Sequence, residues 1–138
     1  MRIVIVIVLC VLLCKLIGCS PVEAATQDEV WTAICQVESG GDPTAHNMVN
    51  NEDARGIAQI TPIFIVDINR IVGERRYVHD DAWDVEKSRA MFDIYNAHYH
   101  PLGGPERIAR CWQGGPKAHR RESAVNDKYW EDVRAELR

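Results

Sequence analysis

One carboxylate near the end of a predicted helix is the group in this sequence best placed to do chemistry. Glu38 follows Ile34 by four residues and Cys35 by three. It also follows Trp31 by seven, so on a helix its side chain extends an apolar stripe. Burial in such a stripe raises the pKa of a carboxyl group, which suits a general acid working near neutral pH. The alternative is a carboxylate exposed to solvent at a fraying helix end.

Further motifs follow Glu38 along the chain. Ser39 is its neighbour. Gly56 to Ile60, which we call the glycine-led segment, begins 18 residues after Glu38, and Pro62 follows it closely. These blocks resemble those of the lytic transglycosylase and goose-type lysozyme superfamily, whose members cleave the glycan strands of bacterial peptidoglycan. The blocks that carry the resemblance are Glu38-Ser39, Gly56-Ile57-Ala58-Gln59-Ile60, Cys111-Trp112-Gln113-Gly114-Gly115 and, more weakly, the stretch Asp84 to Ser88.

The resemblance implies a lytic transglycosylase without a cofactor or a metal ion. In that mechanism Glu38 is the only acid and base. It protonates the glycosidic oxygen between N-acetylmuramic acid and N-acetylglucosamine, and then deprotonates the muramyl 6-hydroxyl to close a 1,6-anhydro ring. One carboxylate suffices because the substrate's own N-acetyl group assists. The residues implied to bind substrate are Ser39, Gly56, Gln59, Trp112 and Gln113.

The block from Cys111 to Gly115, which we call the third block, departs from the family pattern. Two other functions therefore stay open. Trp112 stands where the family has Tyr, and Gln113 where it has Asn. A hydrolytic muramidase is one alternative, and it needs a second carboxylate to activate water. A non-catalytic, peptidoglycan-binding protein of the cell envelope is the other. The candidates for the second carboxylate are Asp42, Glu52 and Asp53.

Two cysteines outside the N-terminal segment form either a disulfide or a pair of buried thiols. Cys35 lies in the first block and Cys111 in the third, and these blocks pack together in the resembled family. An exported protein with two such cysteines favours one bridge. Buried free thiols that pack as small apolar groups are the alternative.

Residues 1–24 are predicted to be a secretory signal, and residues 25–138 a lysozyme-like transglycosylase domain. An apolar run from Ile3 to Cys14 follows Arg2, and Val22-Glu23-Ala24 offers a cleavage site. The run is shorter than the roughly 20 residues that span a membrane. A lipoprotein signal ending at Cys19 is the alternative. The protein is therefore expected in the periplasm or cell envelope, or secreted, and touches a membrane only through the signal or a lipid on Cys19.

The composition and the net charge limit the kinds of partner that this protein is expected to bind. Hydrophobic residues make up 46% of the chain and charged residues 26%, which favours a folded domain over a disordered one. The net charge is −4 with no basic stripe, which argues against a nucleic-acid partner. We expect a monomer, and the resemblance implies that its partner is the peptidoglycan glycan strand. The pair His98 and His100 has no companion ligand at metal-binding spacing, so the sequence predicts no metal site.

The chain is predicted to be all-α, with helices around a glycan-binding cleft and either a loop or a minor hairpin at residues 44–55. Apolar residues recur at helical spacing, and Gly or Pro marks the breaks between segments. Residues 77–83 are predicted to be a loop. Helices are expected at about 27–39, 62–72, 85–99, 105–114 and 126–137.

Overall fold

The computed structural model describes residues 22, 24–49 and 51–138. Within them the chain is mostly helical, with one two-stranded antiparallel sheet. Most of the predicted signal, with its apolar run and Cys19, lies outside the described residues. In chain order the elements are α1 (Gln27–Ser39), β1 (His46–Val49), β2 (Glu52–Arg55), α2 (Pro62–Val72), a 3-10 helix (His79–Trp83), α3 (Val85–Tyr99), α4 (Pro105–Gly114), a second 3-10 helix (Ala118–Arg120) and α5 (Ala124–Glu136).

The first helix begins and ends at residues that the sequence marks clearly. Thr26 and Glu29 form a capping box, in which each side chain accepts a hydrogen bond from the other residue's backbone N–H. Gly40 ends α1 in the left-handed conformation, and its N–H donates to the carbonyls of Cys35 and Gln36. These two signals place Glu38 in the last turn of α1.

The hairpin joins the first helix to the second. β1 pairs with β2 from His46 opposite Arg55 to Val49 opposite Glu52. A further bridge between Arg55 and Ile60 folds the glycine-led segment back onto β2. This resolves the alternative between a loop and a hairpin at residues 44–55 in favour of the hairpin.

The core lies where α1, α4 and α5 pack on one another and where α2 packs on α3. Its fully buried members are apolar, and each contributes roughly 1.5–3 kcal/mol through burial. They include Val30, Ile34, Ile60, Ile68, Met91, Phe92 and Val133. Phe92 lies between two indoles, with its ring centroid 5.0 Å from that of Trp31 and 5.4 Å from that of Trp112.

Two local expectations differ from the structure. The sequence of α2 is apolar on most sides, which predicts a central helix, but Ile63 and Val66 are 74% and 68% exposed. Only Ile65 and Ile68 of α2 are fully buried, because this helix packs on α3 along one face. The segment 77–83 is also not a loop throughout, since His79–Trp83 forms a 3-10 helix that packs on the hairpin.

Candidate functional site

Glu38 is half-buried at the end of α1 and is held by a tyrosine from the last helix. The hydroxyl of Tyr129 donates a 2.6 Å hydrogen bond to Glu38 Oε1. Burial raises the pKa of Glu38 from 4.5 to about 7, although the hydrogen bond from Tyr129 acts in the opposite direction. The carboxyl is therefore present in both protonation states near neutral pH.

Tyr129 lies on the apolar side of α5, and its polar contact with Glu38 was not predicted from the sequence. Tyr129 is 8% exposed, and burial, followed by the charge of Glu38, raises its pKa well above 10. The phenol keeps its proton at neutral pH and can act as a donor. Its distance of 91 residues from Glu38 leaves no spacing signal. The available clue was a hydroxyl on the inward side of an amphipathic helix, because buried tyrosine hydroxyls generally find a partner.

Ser39 joins the first block to the second. Its Oγ lies 2.7 Å from the carbonyl oxygen of Ile57 and 3.1 Å from that of Cys35, and the hydroxyl donates toward these two acceptors. The structure thus brings Glu38 and Ser39 next to the glycine-led segment. Ser39 fixes the end of α1 against that segment.

Gly56 and Gln59 are both engaged inside the protein. Gly56 has φ +75°, and a Cβ on it would lie 1.8 Å from the carbonyl oxygen of Ala82. The close approach that glycine permits here is therefore to the first 3-10 helix. The Gln59 amide donates to the carbonyls of Ala45 and Gly56 at 3.2 and 2.9 Å, and its oxygen accepts from Asn47 at 2.7 Å. Gln59 thus ties the glycine-led segment to the hairpin.

The third block is divided between the core and the surface. The half-buried ring of Trp112 packs on Phe64 with centroids 5.0 Å apart, and also on Phe92 and Tyr95. Gln113 is exposed at the end of α4. The indole is thus part of the aromatic core.

Cys35 and Cys111 are both buried free thiols in the structure, and no disulfide bond joins them. Burial raises the pKa of Cys35 to about 12, and it also raises that of Cys111. The Sγ of Cys111 lies 3.1 Å from Nδ1 of His119, on the second 3-10 helix. The thiol of Cys111 therefore has a polar partner other than Cys35.

Each acid considered as a second catalytic carboxylate is either hydrogen-bonded within the protein or exposed to solvent. These acids are Asp42, Glu52 and Asp53. Asp53 receives a 2.6 Å hydrogen bond from Arg55 and a 2.9 Å contact from His46. The bond from Arg55 is the main reason that the pKa of Asp53 lies below its ordinary value. Asp42 accepts from the backbone and hydroxyl of Thr44, and Glu52 is exposed on β2.

A half-exposed tryptophan that sequence reasoning did not single out lies beside the hairpin. Trp83 is 37% exposed, its ring contacts that of His46 edge-on at 5.8 Å, and the Arg55 guanidinium lies 5.8 Å from its centroid. It directly follows Ala82, whose carbonyl fills the space above Gly56. We call Trp83, His46 and Arg55 the hairpin platform.

The comparisons with known proteins yielded a likeness of fold. Neither a family model nor a curated protein matches the chain. The structure is similar to a chain in the crystal structure of Aeromonas hydrophila PliI in complex with Meretrix lusoria lysozyme. The TM-score is 0.64 and the sequence identity 21%, over 79% of this chain and 88% of that chain. At this identity the likeness shows the fold.

This comparison corrects the prediction drawn from the sequence blocks. The similar structure is described as PliI in complex with a lysozyme, not as a lytic transglycosylase, and no family model supports the expected family. The expected family, the lyase and glycosidase chemistry and the 1,6-anhydro product are therefore not retained. The blocks misled because their residues recur for structural reasons: Ser39 fastens a helix end, Gly56 allows a close backbone contact, and Gln59 fastens a hairpin.

Within the described ranges, no helix is long and apolar enough to cross a membrane.

Proposed function

We propose that this protein binds the glycan strands of peptidoglycan without cleaving them, through residues at the end of α1 and on the hairpin platform. The observation that carries the proposal is the state of Glu38. It is a half-buried carboxyl with a pKa of about 7, and among the described residues its one hydrogen bond comes from Tyr129. A carboxyl that exists in both protonation states can donate to one sugar group and accept from another.

The neighbouring acids support binding over hydrolysis. Activating a water molecule requires a carboxylate with a free oxygen close to that water. The oxygens of Asp53 are engaged by Arg55 and His46, and Asp42 is turned into its own loop by Thr44. Asp53 and Asp42 are therefore poorly suited to activate a water molecule for Glu38.

The hairpin platform supplies a partly exposed aromatic face, that of Trp83. An exposed indole offers a flat surface on which the C–H face of a sugar ring can stack, while its N–H remains free to donate. Ser39 and the glycine-led segment connect the end of α1 to the hairpin, through the bond from Ser39 to Ile57. A polar group on one side and an aromatic face on the other are what a site for an extended sugar chain requires.

The proposed ligand lies outside the cytoplasmic membrane, so the proposal includes export. It therefore agrees with a signal at residues 1–24 and a mature chain of residues 25–138. Lipidation at Cys19 is a second route to the same compartment. These assignments stay predictions.

The structural comparison favours one second candidate, a protein partner. The similar structure is a complex in which PliI is bound to lysozyme. A chain with this fold can therefore be tested for binding to a lysozyme. Titrating the protein into a lysozyme assay on bacterial cell walls gives the answer, since a stoichiometric loss of lysozyme activity would support this candidate.

Replacing Trp83 with alanine is expected to weaken binding to peptidoglycan about tenfold. Loss of one aromatic stacking contact is worth about 1 to 1.5 kcal/mol, and about 1.4 kcal/mol corresponds to a factor of ten. Co-sedimentation of the full chain with purified, insoluble peptidoglycan measures this affinity.

Leu102→Ala is the matched control for this experiment, because Leu102 is a 97% exposed apolar side chain outside the hairpin platform. Its affinity should equal that of the wild type. Equal affinities for Trp83→Ala and Leu102→Ala would exclude the hairpin platform from the binding site.

A further inference from the structure

Three side chains of the kinds that bind soft metal ions meet near the C-terminal ends of α3 and α4. His100 caps α3, Cys111 lies on α4 and His119 lies on the second 3-10 helix. One possible ligand atom from each lies within 4.8 Å of those of the other two. The closest contact, 3.1 Å, joins Cys111 Sγ to His119 Nδ1.

The state of His100 points independently to a missing ligand. His100 is 3% exposed, and neither of its ring nitrogens has a hydrogen-bond partner in the part of the chain that the structure describes. A buried polar atom without a partner is costly, so such atoms are uncommon in folded proteins. The imidazole of His100 is also near that of His119, with ring centroids 5.8 Å apart. A metal ion among the three side chains would satisfy one of the unpaired nitrogens.

We propose that His100, Cys111 and His119 bind one zinc ion, with the fourth coordination position open. Thiolate and imidazole are the ligands that zinc prefers, and zinc sites with three protein ligands keep one position for water or another molecule. His119 is half-buried and lines a cavity of about 890 Å³, which provides a route for the ion. The site involves none of the residues assigned to glycan binding.

The charges around the cluster indicate which of the three side chains contributes most to zinc binding. Arg107 and Arg120 bring positive charge close to Cys111 and His119. This positive charge opposes a divalent cation. Zinc binding at this place therefore depends on the negative charge of the thiolate, and the loss of Cys111 should be the most damaging change.

The cluster also explains why the sequence predicted no metal site. His98 and His100 are close in sequence, but His98 is exposed and is not part of the cluster. The companions of His100 come from the next two elements, 11 and 19 residues later. The turn at Pro101 and Gly103 brings these elements together, and a search for short ligand spacing passes over it.

The test is a zinc titration of the reduced, metal-free full chain in competition with a chromophoric chelator. Cys10, Cys14 and Cys19 are replaced by Ser in every sample, so that they supply no thiolate. The wild type in this background should take up one equivalent of zinc. Cobalt(II) should give the visible bands of a tetrahedral site and a thiolate-to-metal charge-transfer band.

The variants decide which side chains bind the ion. Cys111→Ser and His119→Gln should each weaken zinc binding at least about 100-fold, the upper end of what outer-shell changes alone cost. His98→Gln is the matched control and should bind as the wild type does. Because His119 is half-buried, His119→Gln should stay folded even if Cys111→Ser does not, and circular dichroism checks both.

Either of two results would overturn the proposal. The first is a folded wild-type protein that takes up no zinc, or takes up only copper. The second is an affinity for zinc that is unchanged in folded His119→Gln.

Discussion

Replacing Glu38 with glutamine is expected to stabilise the protein at pH 8 by about 3 kcal/mol and to leave it nearly unchanged at pH 4. Each pKa unit is worth about 1.4 kcal/mol, and burial raises the pKa of Glu38 from 4.5 to about 7. Glutamine has the shape of the protonated carboxyl, and its oxygen can still accept from Tyr129. It therefore removes the cost of ionising a buried group.

The direction of this pH dependence follows from how tightly the folded and the unfolded protein bind the Glu38 proton. Between pH 4.5 and about 7 the folded protein holds the Glu38 proton more tightly than the unfolded chain does. Stability contributed by this group is complete below pH 4.5 and is lost as the pH rises through about 7. The difference between the variant and the wild type should grow over the same window.

Urea unfolding of both proteins at pH 4, 6 and 8 measures the difference. Glu52→Gln is the matched control, because Glu52 is exposed on β2, and its effect should be small at each pH. A Glu38→Gln effect that is the same at all three pH values would show that Glu38 is not a buried carboxyl with a raised pKa.

Replacing Gly56 with alanine is expected to destabilise the protein by roughly 2–5 kcal/mol. A positive φ costs an L-residue about 1–2 kcal/mol, and forcing atoms into a packed site costs about 1–3 kcal/mol more. The new methyl group would meet the carbonyl oxygen of Ala82 at 1.8 Å, so the first 3-10 helix must move. Urea unfolding at constant pH measures the loss.

Gly73→Ala separates the two contributions. Gly73 has φ +78°, but nothing lies within 4 Å of the position that its Cβ would take. This variant should lose about 1–2 kcal/mol, which is the conformational part alone. Equal losses in the two variants would mean that Gly56 and Ala82 are not in close contact.

The Gly56 variant also bears on binding. Trp83 directly follows Ala82, so a displaced 3-10 helix moves the hairpin platform. The folded fraction of Gly56→Ala should therefore bind peptidoglycan less tightly than Gly73→Ala does.

Most of the helices could be predicted because their ends carry local signals. Thr26 with Glu29, Asp84 and Pro105 mark helix starts, and the structure places α1, α3 and α4 where these residues predict. The hairpin was left open because residues 44–55 show no clear alternation. The exposure of Ile63 and Val66 could not be predicted, because periodicity gives the apolar faces of a helix but not which of them a neighbour covers.

Less of the candidate site than of the fold could be predicted from the sequence. The raised pKa of Glu38 follows from the stripe that it shares with Ile34, and that part could be predicted. Tyr129, Trp83 and the group of His100, Cys111 and His119 are brought in by tertiary packing, which leaves no short spacing to read. The roles of Gly56 and Gln59 were interpreted through a resemblance, whereas the structure engages both in internal contacts.

The most direct test of the account is to incubate the full chain with purified peptidoglycan at pH 7, and to measure bound protein and soluble muropeptides in the same samples. Glu38→Gln serves as the parallel variant, and mass spectrometry identifies any products. We predict that the wild type sediments with the peptidoglycan and releases no muropeptides. Muropeptides released by the wild type but not by Glu38→Gln would contradict the proposal and show that Glu38 takes part in cleavage.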